Sequence, residues 1–538
     1  MSERKFYLKP NIVLEPLVDR WYAWTHLIAP QTCALNVIDR HLKIMKSYVM
    51  APDVHRMAVK NPKMLGGPFM DYEDERKQDV IDLIAKTESE HAELIEFGKS
   101  IKALQKILQE EAKGYSLKEL YQKVPDPLKG LIELYYDLDN NASFRFFEPL
   151  LYASKYFKKA SQSIAIWETA NDERPFVLST PRLDEDDIFI ADISFDHEAV
   201  DLLHSMKRFP QPESYVNEIL DVPEDKKELF QSFFTEEEPL KYEKYEGDQV
   251  RMRYFGHACI LIETKDISIL VDPIVSYYGY ETEVDRFSDF HIPDTIDYVL
   301  ITHNHQDHVL FETLLSLRHK IKNLVIPSSD SGTLEDPSLE LVLRKIGFNN
   351  IHKIREMETL NFGGCEITGI PFLGEHADLN IQAKICHHVK FNDLSMLFVA
   401  DSCNIEPKLY ELVAEQIGRA DVIFMGMECD GAPLSWVYGP LITDPLPRDM
   451  DQTRRLAGSD FEQGKALIDA FDPKEVYVYA MGMEPWLEFI TTVKYTSESH
   501  PIVQSNKLID YCRSKGMVSE RLFGEKEILY STEAELTN

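Results

Sequence analysis

The sequence predicts an α/β protein in two parts: a mostly helical α+β segment, then a segment in which strands and helices alternate. Three observations carry this expectation. Residues 72–113 place apolar side chains at helical spacing with charges between them. From Gln249 onward, short β-branched runs alternate with helix-like stretches. Between the two lies "TEEEPLKYEKYEGD", a charged stretch without an apolar face, which reads as a linker ending at Asp248. The expected domains are therefore 1–248 and 249–538, and a chain of 538 residues is long enough for both.

Within the first part, "SLKELYQKV" opens on a Ser with Glu three positions later, a capping-box pattern, before Pro125 interrupts. Amphipathic helix is expected again through "PLKGLIELYYDL" and "FEPLLYASKYFKKASQSIAIWET". "PFVLST" and "IFIADISF" read as short strands, "ESYVNEILDV" and "KKELFQSFF" as helices. In the second part, "QVRMRYFGHACILIETKDISILVDP" reads as strands joined at the turn "TKD", and "IDYVLITH" as a further buried strand. Strands are expected at "NLVIPS", "CEITGIPFLG", "SMLFVADS", "DVIFMGM" and "EVYVYAMG", helices at "LELVLRKIGF", "KLYELVAEQI" and "GKALIDAF". His387 and His388 read as a turn pair ahead of a strand.

The net charge of −33 repels phosphate backbones and anionic lipid, and no basic run offsets it, so neither nucleic acid nor membrane is an expected partner. The seven cysteines form no CxxC pair, as in a reduced cytosolic protein, and no apolar signal core opens the chain, so the expected location is cytoplasmic. There is no P-loop, GxSxG elbow or GxGxxG.

Chemistry concentrates in "ITHNHQDHVL", which follows a buried strand. His303 and His305 are two apart and face one way in extended backbone. Asp307 and His308 come where the chain should turn into a helix, within reach of a second ion beside the first. Imidazole and carboxylate at this density suit zinc, iron or manganese. Downstream, "LGEHADL" offers Glu375 and His376 side by side. With His376 the first site would hold three histidines, as in zinc hydrolases. With Glu375 it would hold two histidines and a carboxylate, the set used for non-haem iron and oxygen.

The HxHxDH motif, the hairpin "GHACILIE"…"ILVDP" ending at Asp272, "PFLGEHADL" and "LFVADS" together resemble the metallo-β-lactamase superfamily. That resemblance implies a C-terminal αββα sandwich with a dinuclear metal site. It also implies a late histidine near "VYVYAMGMEPW", where this chain has Met481, Gly482, Met483 and Glu484 instead. His500 is the one histidine after His388, and its spacing fits poorly.

"YLKPNIVLEPLVDRWYAWTHLIAPQTCALNVIDRHLKIMKSY" and "KNPKMLGGPFMDY" narrow the match. With them the chain resembles the dinuclear-iron β-hydroxylases that act on aminoacyl groups held by a carrier domain of a nonribosomal peptide synthetase. The resemblance implies six metal ligands: His303, His305 and Glu375 on one ion, Asp307 and His308 on the other, and Asp401 between. It implies two iron ions, dioxygen and an external electron donor, a carrier-bound or small-molecule aminoacyl substrate, and a homodimer formed through residues 1–248. The alternative is a dinuclear zinc or manganese hydrolase of an ester, amide or phosphodiester.

His257, Asp272 and His376 are expected to support the ligands rather than bind metal. Glu428, Asp430 and Tyr438 are candidates for the pocket wall. Trp21, Tyr22 and Trp24 read as core or interface, with a substrate lid as the other possibility.

Overall fold

Residues 4–531 are described by the structure, a computed structural model. The apolar runs after Gln249 fold into two seven-stranded sheets. The first runs in the order Ile351–Ile354, Ile321–Pro327, Ile296–Leu300, Ser268–Val271, Ile260–Glu263, Val250–Tyr254, Lys526–Tyr530. The second runs Thr359–Phe362, Cys365–Ile370, Cys386–Phe391, Leu394–Ala400, Val422–Gly426, Glu475–Tyr479, Val518–Arg521. Each is antiparallel on one side and parallel on the other.

Met252, Ile262 and Ile269 of the first sheet pack against Ile367, Met396 and Phe424 of the second, which closes the sandwich. Helices Lys408–Ile417, Phe461–Phe471 and His500–Ser514 cover the outer face of the second sheet through Tyr410, Leu467 and Leu508. The outer face of the first shares a core with the N-terminal part, as Leu261 and Leu270 join Ile12, Leu14 and Phe97 in one cluster. This is the αββα arrangement, preceded by a mixed helical and stranded segment. Among the described residues no helix is long and apolar enough to cross a membrane.

In the N-terminal part, Ile12–Val18 is a wholly buried strand between Trp21–Tyr22 and Gln162–Glu168. The helical stretch expected over 72–113 forms as Lys77–Glu90 and Ala92–Glu111, divided at His91, whose ring reaches Asp19 at 2.7 Å. Residues 236–248 contain neither helix nor strand.

Several expected elements differ. "PLKGLIELYYDL" is not a helix: Ile132–Tyr136 pairs with Ala142–Phe146 as a hairpin. Its turn is set by Asp137, which accepts from the backbone N–H of Asp139 and Asn141, and by Asn140 at φ +61°. In "FEPLLYASKYFKKASQSIAIWET" the helix stops at Tyr152, and Gln162–Glu168 is a strand. "PFVLST" is not a strand: residues 177–179 form a turn. His387 and His388 lie inside the strand Cys386–Phe391, not at a turn. There His387 Nε2 donates to the Ile301 carbonyl at 2.8 Å, bracing the chain just ahead of the histidine motif.

Candidate metal centre

The clustered side chains all sit just past strand ends. Asp272 follows Ser268–Val271, the histidine motif follows Ile296–Leu300, Glu375 lies beyond Cys365–Ile370, and Asp401 follows Leu394–Ala400. Because Ser268–Val271 and Ile296–Leu300 run parallel, Asp272 and the motif emerge at the same edge. Residues of the second sheet's loops lock on: Ile385 N donates to Thr302 O at 2.7 Å and Asn304 N to Ala383 O at 3.1 Å.

Donor atoms of His303, His305 and Glu375 lie within 4.8 Å of one another, and so do those of His303, His308 and Asp401. A third such group joins His257, Asp307 and His308. His376 belongs to none of them. His305 Nδ1 is 3.0 Å from Glu375 Oε1, and His303 Nε2 is 3.8 Å from Glu375 Oε2 and 3.9 Å from Asp401 Oδ2. On the other side, His308 Nε2 is 3.1 Å from Asp401 Oδ2.

Backbone strain aims the carboxylates. Glu375, Ala377, Asp378 and Ala400 all have left-handed φ, between +48° and +66°. At Gly426 a Cβ would lie 2.6 Å from Asp401 Oδ1, so only glycine leaves that carboxylate room.

Hydrogen bonds fix which ring nitrogen is free. His308 Nδ1 is 2.8 Å from Asp272 Oδ2, so its Nε2 faces Asp401 with a lone pair when the ring is neutral. Thr302 donates to Asp272 twice, from N at 2.7 Å and from Oγ1 at 2.6 Å. With that hydroxyl proton committed, Thr302 Oγ1 accepts from His303 Nδ1 at 3.0 Å, freeing His303 Nε2. His305 Nε2 meets the Tyr438 hydroxyl at 3.2 Å, which leaves Nδ1 for the cluster. His257 is different. Its Nδ1 accepts from Gly482 N at 3.2 Å, so the neutral ring carries its proton on Nε2, 3.3 Å from Asp307 Oδ2. A protonated nitrogen has no lone pair for a metal, so His257 supports Asp307.

Electrostatics follow this layout. Burial, with His308, His305 and His376 around it, holds His303 well below the usual histidine range. Burial also lowers His308, but Asp401 and Asp272 outweigh it and hold that ring well above the range. Against burial, His305 and His376 pull Glu375 down to about 2. Burial, with Glu375 and Asp307 nearby, raises Asp401 despite His308.

His303 Nε2, Glu375 Oε2 and Asp401 Oδ1 are buried without a hydrogen-bond partner among the described residues. Buried polar atoms of a native site are normally paired. Three such atoms, on residues that share donor groups, have the chemistry of a site that holds cations. The donor set fits a dinuclear metal centre.

Beside the cluster lies a cavity of about 250 Å³, lined by His305, Asp307, Glu375, Asp401 and Glu428 on one side. Its apolar walls include Trp24, Leu65 and Leu178 from the N-terminal part and Trp436, Val437, Leu456 and Ile490 from the C-terminal part. Trp21 and Tyr22 are buried core residues instead. Of the other candidates, Asp430 and His500 are exposed and face each other at 3.3 Å, away from the centre. Glu484 is buried, accepting from Tyr254 and from His257 N. Burial, with Asp401 and Asp307 nearby, pushes the Glu428 carboxyl up to about 8.

Sequence reasoning missed Thr302 and Gly426. The signal for Thr302 was its place in "LITH", between a buried strand and the first histidine; for Gly426 it was a glycine ending the strand beside "LFVADS".

Known proteins resemble the chain along its length. Residues 7–239 match the diiron non-heme beta-hydroxylase N-terminal domain, and 251–431 match the beta-lactamase superfamily domain. The 4-amino-L-phenylalanyl-[CmlP-peptidyl-carrier-protein] 3-hydroxylase of Streptomyces venezuelae is 38% identical over 528 residues, 96% of this chain and 98% of that protein. The crystal structure of CmlA, a diiron beta-hydroxylase from the same organism, superposes with a TM-score of 0.91 at 36% identity, covering 98% of this chain and 100% of that one. A CmlA variant gives 0.89 at 36% identity, over 97% and 100%.

Proposed function

Because this chain belongs to the diiron non-heme β-hydroxylase family, we propose that it hydroxylates the β-carbon of an aminoacyl group tethered to a peptidyl carrier protein, using dioxygen and an external electron donor. The observation that carries this reading is the grouping of His303 and His305 with Glu375 rather than with His376. Two imidazoles and a carboxylate suit iron and oxygen better than a zinc hydrolase's three histidines do. The loop Met481–Glu484 adds no imidazole, and Glu484 is turned to Tyr254 and His257.

In this reading His303, His305 and Glu375 would hold one iron and Asp307 and His308 the other, with Asp401 available to both. When bound, the irons supply the redox chemistry that activates dioxygen, which side chains alone lack. The protein's own part is orientation and exclusion of water. Asp272, Thr302 and Tyr438 present the ring nitrogens, and the apolar walls around Trp24 and Trp436 enclose the substrate side chain. His376 stacks on His305 at 4.3 Å and packs beside Glu375, its Nδ1 3.0 Å from Oε2 but outside hydrogen-bond geometry.

The proposal also assigns residues 1–248 to covering the site and to pairing two copies, residues 249–538 to holding the metals, and the protein to the cytoplasm. Trp24, Leu65 and Leu178 on the cavity wall support the covering role.

The test is metal content and product mass. Protein grown with iron should carry two irons and, with a reductant, place one atom of ¹⁸O from ¹⁸O₂ on the β-carbon of a carrier-bound amino acid. Two zinc ions, ester hydrolysis and no label would overturn the reading.

A further inference from the structure

The cavity beside the metal centre is lined by four carboxylates, Asp307, Glu375, Asp401 and Glu428, and by neither lysine nor arginine. The first three each face an imidazole at 3.0–3.3 Å and belong to donor groups of the centre. Glu428 belongs to none of these groups, and among the described residues no cation pairs with it. Its one side-chain hydrogen bond is from the Tyr495 hydroxyl to Oε1 at 3.1 Å.

Nor is Glu428 a loose surface acid. It stands two residues past the strand Val422–Gly426, and its carbonyl accepts from Gly458 N at 2.9 Å. An ionised carboxylate beside three others in a largely apolar cavity is costly, so the free protein favours the protonated form of Glu428 for want of a compensating charge. A cation that arrives with the substrate would supply one.

Resting on the aminoacyl reading above, we propose that Glu428 binds the free α-ammonium of the substrate and thereby positions its β-carbon. The ammonium nitrogen is two bonds from the β-carbon, so anchoring it fixes the reacting atom more tightly than the apolar walls can. Tyr495 orients the carboxylate and leaves Oε2 for the ammonium. An N-acylated amino acid has no such charge. The reaction this enzyme performs therefore comes before any step that converts that amine to an amide.

The test uses the metal-loaded protein without oxygen and three hydrolysis-resistant pantetheine amides: phenylalanyl, N-acetylphenylalanyl and 3-phenylpropanoyl. Calorimetry should show the free amine bound roughly tenfold to a hundredfold more tightly than the other two, the range of a charge-assisted hydrogen bond. Glu428→Gln should bring the three near parity, with unchanged metal content and unchanged affinity for the two uncharged ligands. Retained preference in that variant, equal weakening of all three ligands, or altered metal content would each overturn the assignment. If the wild-type protein binds all three alike, Glu428 has no such role while the aminoacyl reading stands. If it binds none, the aminoacyl reading fails and this assignment with it.

Discussion

Replacing Asp272 with Asn should cost the centre one of its two ions. Asp272 is fully buried and accepts three hydrogen bonds, from Thr302 N, Thr302 Oγ1 and His308 Nδ1, at 2.6–2.8 Å. Asn can keep its oxygen toward Thr302 N. Its amide nitrogen then stands where Oδ2 stood, donor facing donor at His308 Nδ1. The ring escapes by moving its proton to Nε2, the atom needed 3.1 Å from Asp401. Loss of such a supporting carboxylate weakens metal binding about tenfold to a hundredfold, or about 1.4–2.7 kcal/mol. His303 feels the change only through Thr302, so its ion should suffer less. Chelator competition with metal analysis reads this directly. The variant should retain one ion at near wild-type affinity and lose the second, with thermal unfolding confirming that it folds. Two ions held as tightly as in the wild type, or both weakened equally, would refute this account of Asp272.

Three further outcomes follow from contacts of the same kind. Tyr438→Phe removes the acceptor for His305 Nε2, 3.2 Å away, and should weaken the His303–His305–Glu375 ion by about 1 kcal/mol in the same competition assay. Arg174→Met leaves Glu312 without its two-pronged partner at 2.8 and 2.9 Å; breaking a buried pair this way costs about 3–5 kcal/mol, read as a lowered melting temperature. Burial raises Glu148 to about 7, although Ser338 N and Gln31 donate to it. Between about 4.5 and 7 the native state therefore holds a proton that the unfolded chain has released. Stability should fall by about 3 kcal/mol as pH rises through that window. Glu148→Gln should remove this decline in denaturant titrations at pH 5 and pH 8.

The clustering of this loop was legible because its pattern is local: three histidines and an aspartate crowd behind a buried β-branched run, and Asp401 marks a strand end just as plainly. The choice between Glu375 and His376 was visible only as a question. It turns on left-handed backbone at Gly374 and Glu375, which no side-chain pattern announces. Tyr438 lies 133 residues from His305, so chain distance hides their contact.

The N-terminal part was harder to read, for a different reason. Ile12–Val18 is buried along its whole length, with Glu15 inside it, so polar and apolar residues do not alternate. Glu15 is tolerated there because Arg182 reaches it at 2.7 Å and Arg174 at 3.6 Å, partners more than 150 residues away. "GLIELYYDLDNN" mixes helical spacing with aromatic residues and a turn, and the turn decided the outcome.

Those arginines also show why the N-terminal part is more than a cover. Glu312 belongs to the helix Phe311–Leu317, which begins three residues after His308. Arg174 holds Glu312 with two hydrogen bonds, and Tyr22 and Tyr277 add theirs at 3.1 and 2.8 Å. Two of these three partners come from before residue 249, so the helix that carries the metal loop is gripped from the N-terminal side. In the same segment Trp24, two residues from Tyr22, lines the cavity. The stretch that bonds Glu312 through Tyr22 therefore also lines the cavity through Trp24. Because Arg174 holds the helix that follows the histidine motif, Arg174→Met should loosen metal binding as well as the fold, read in the same chelator competition.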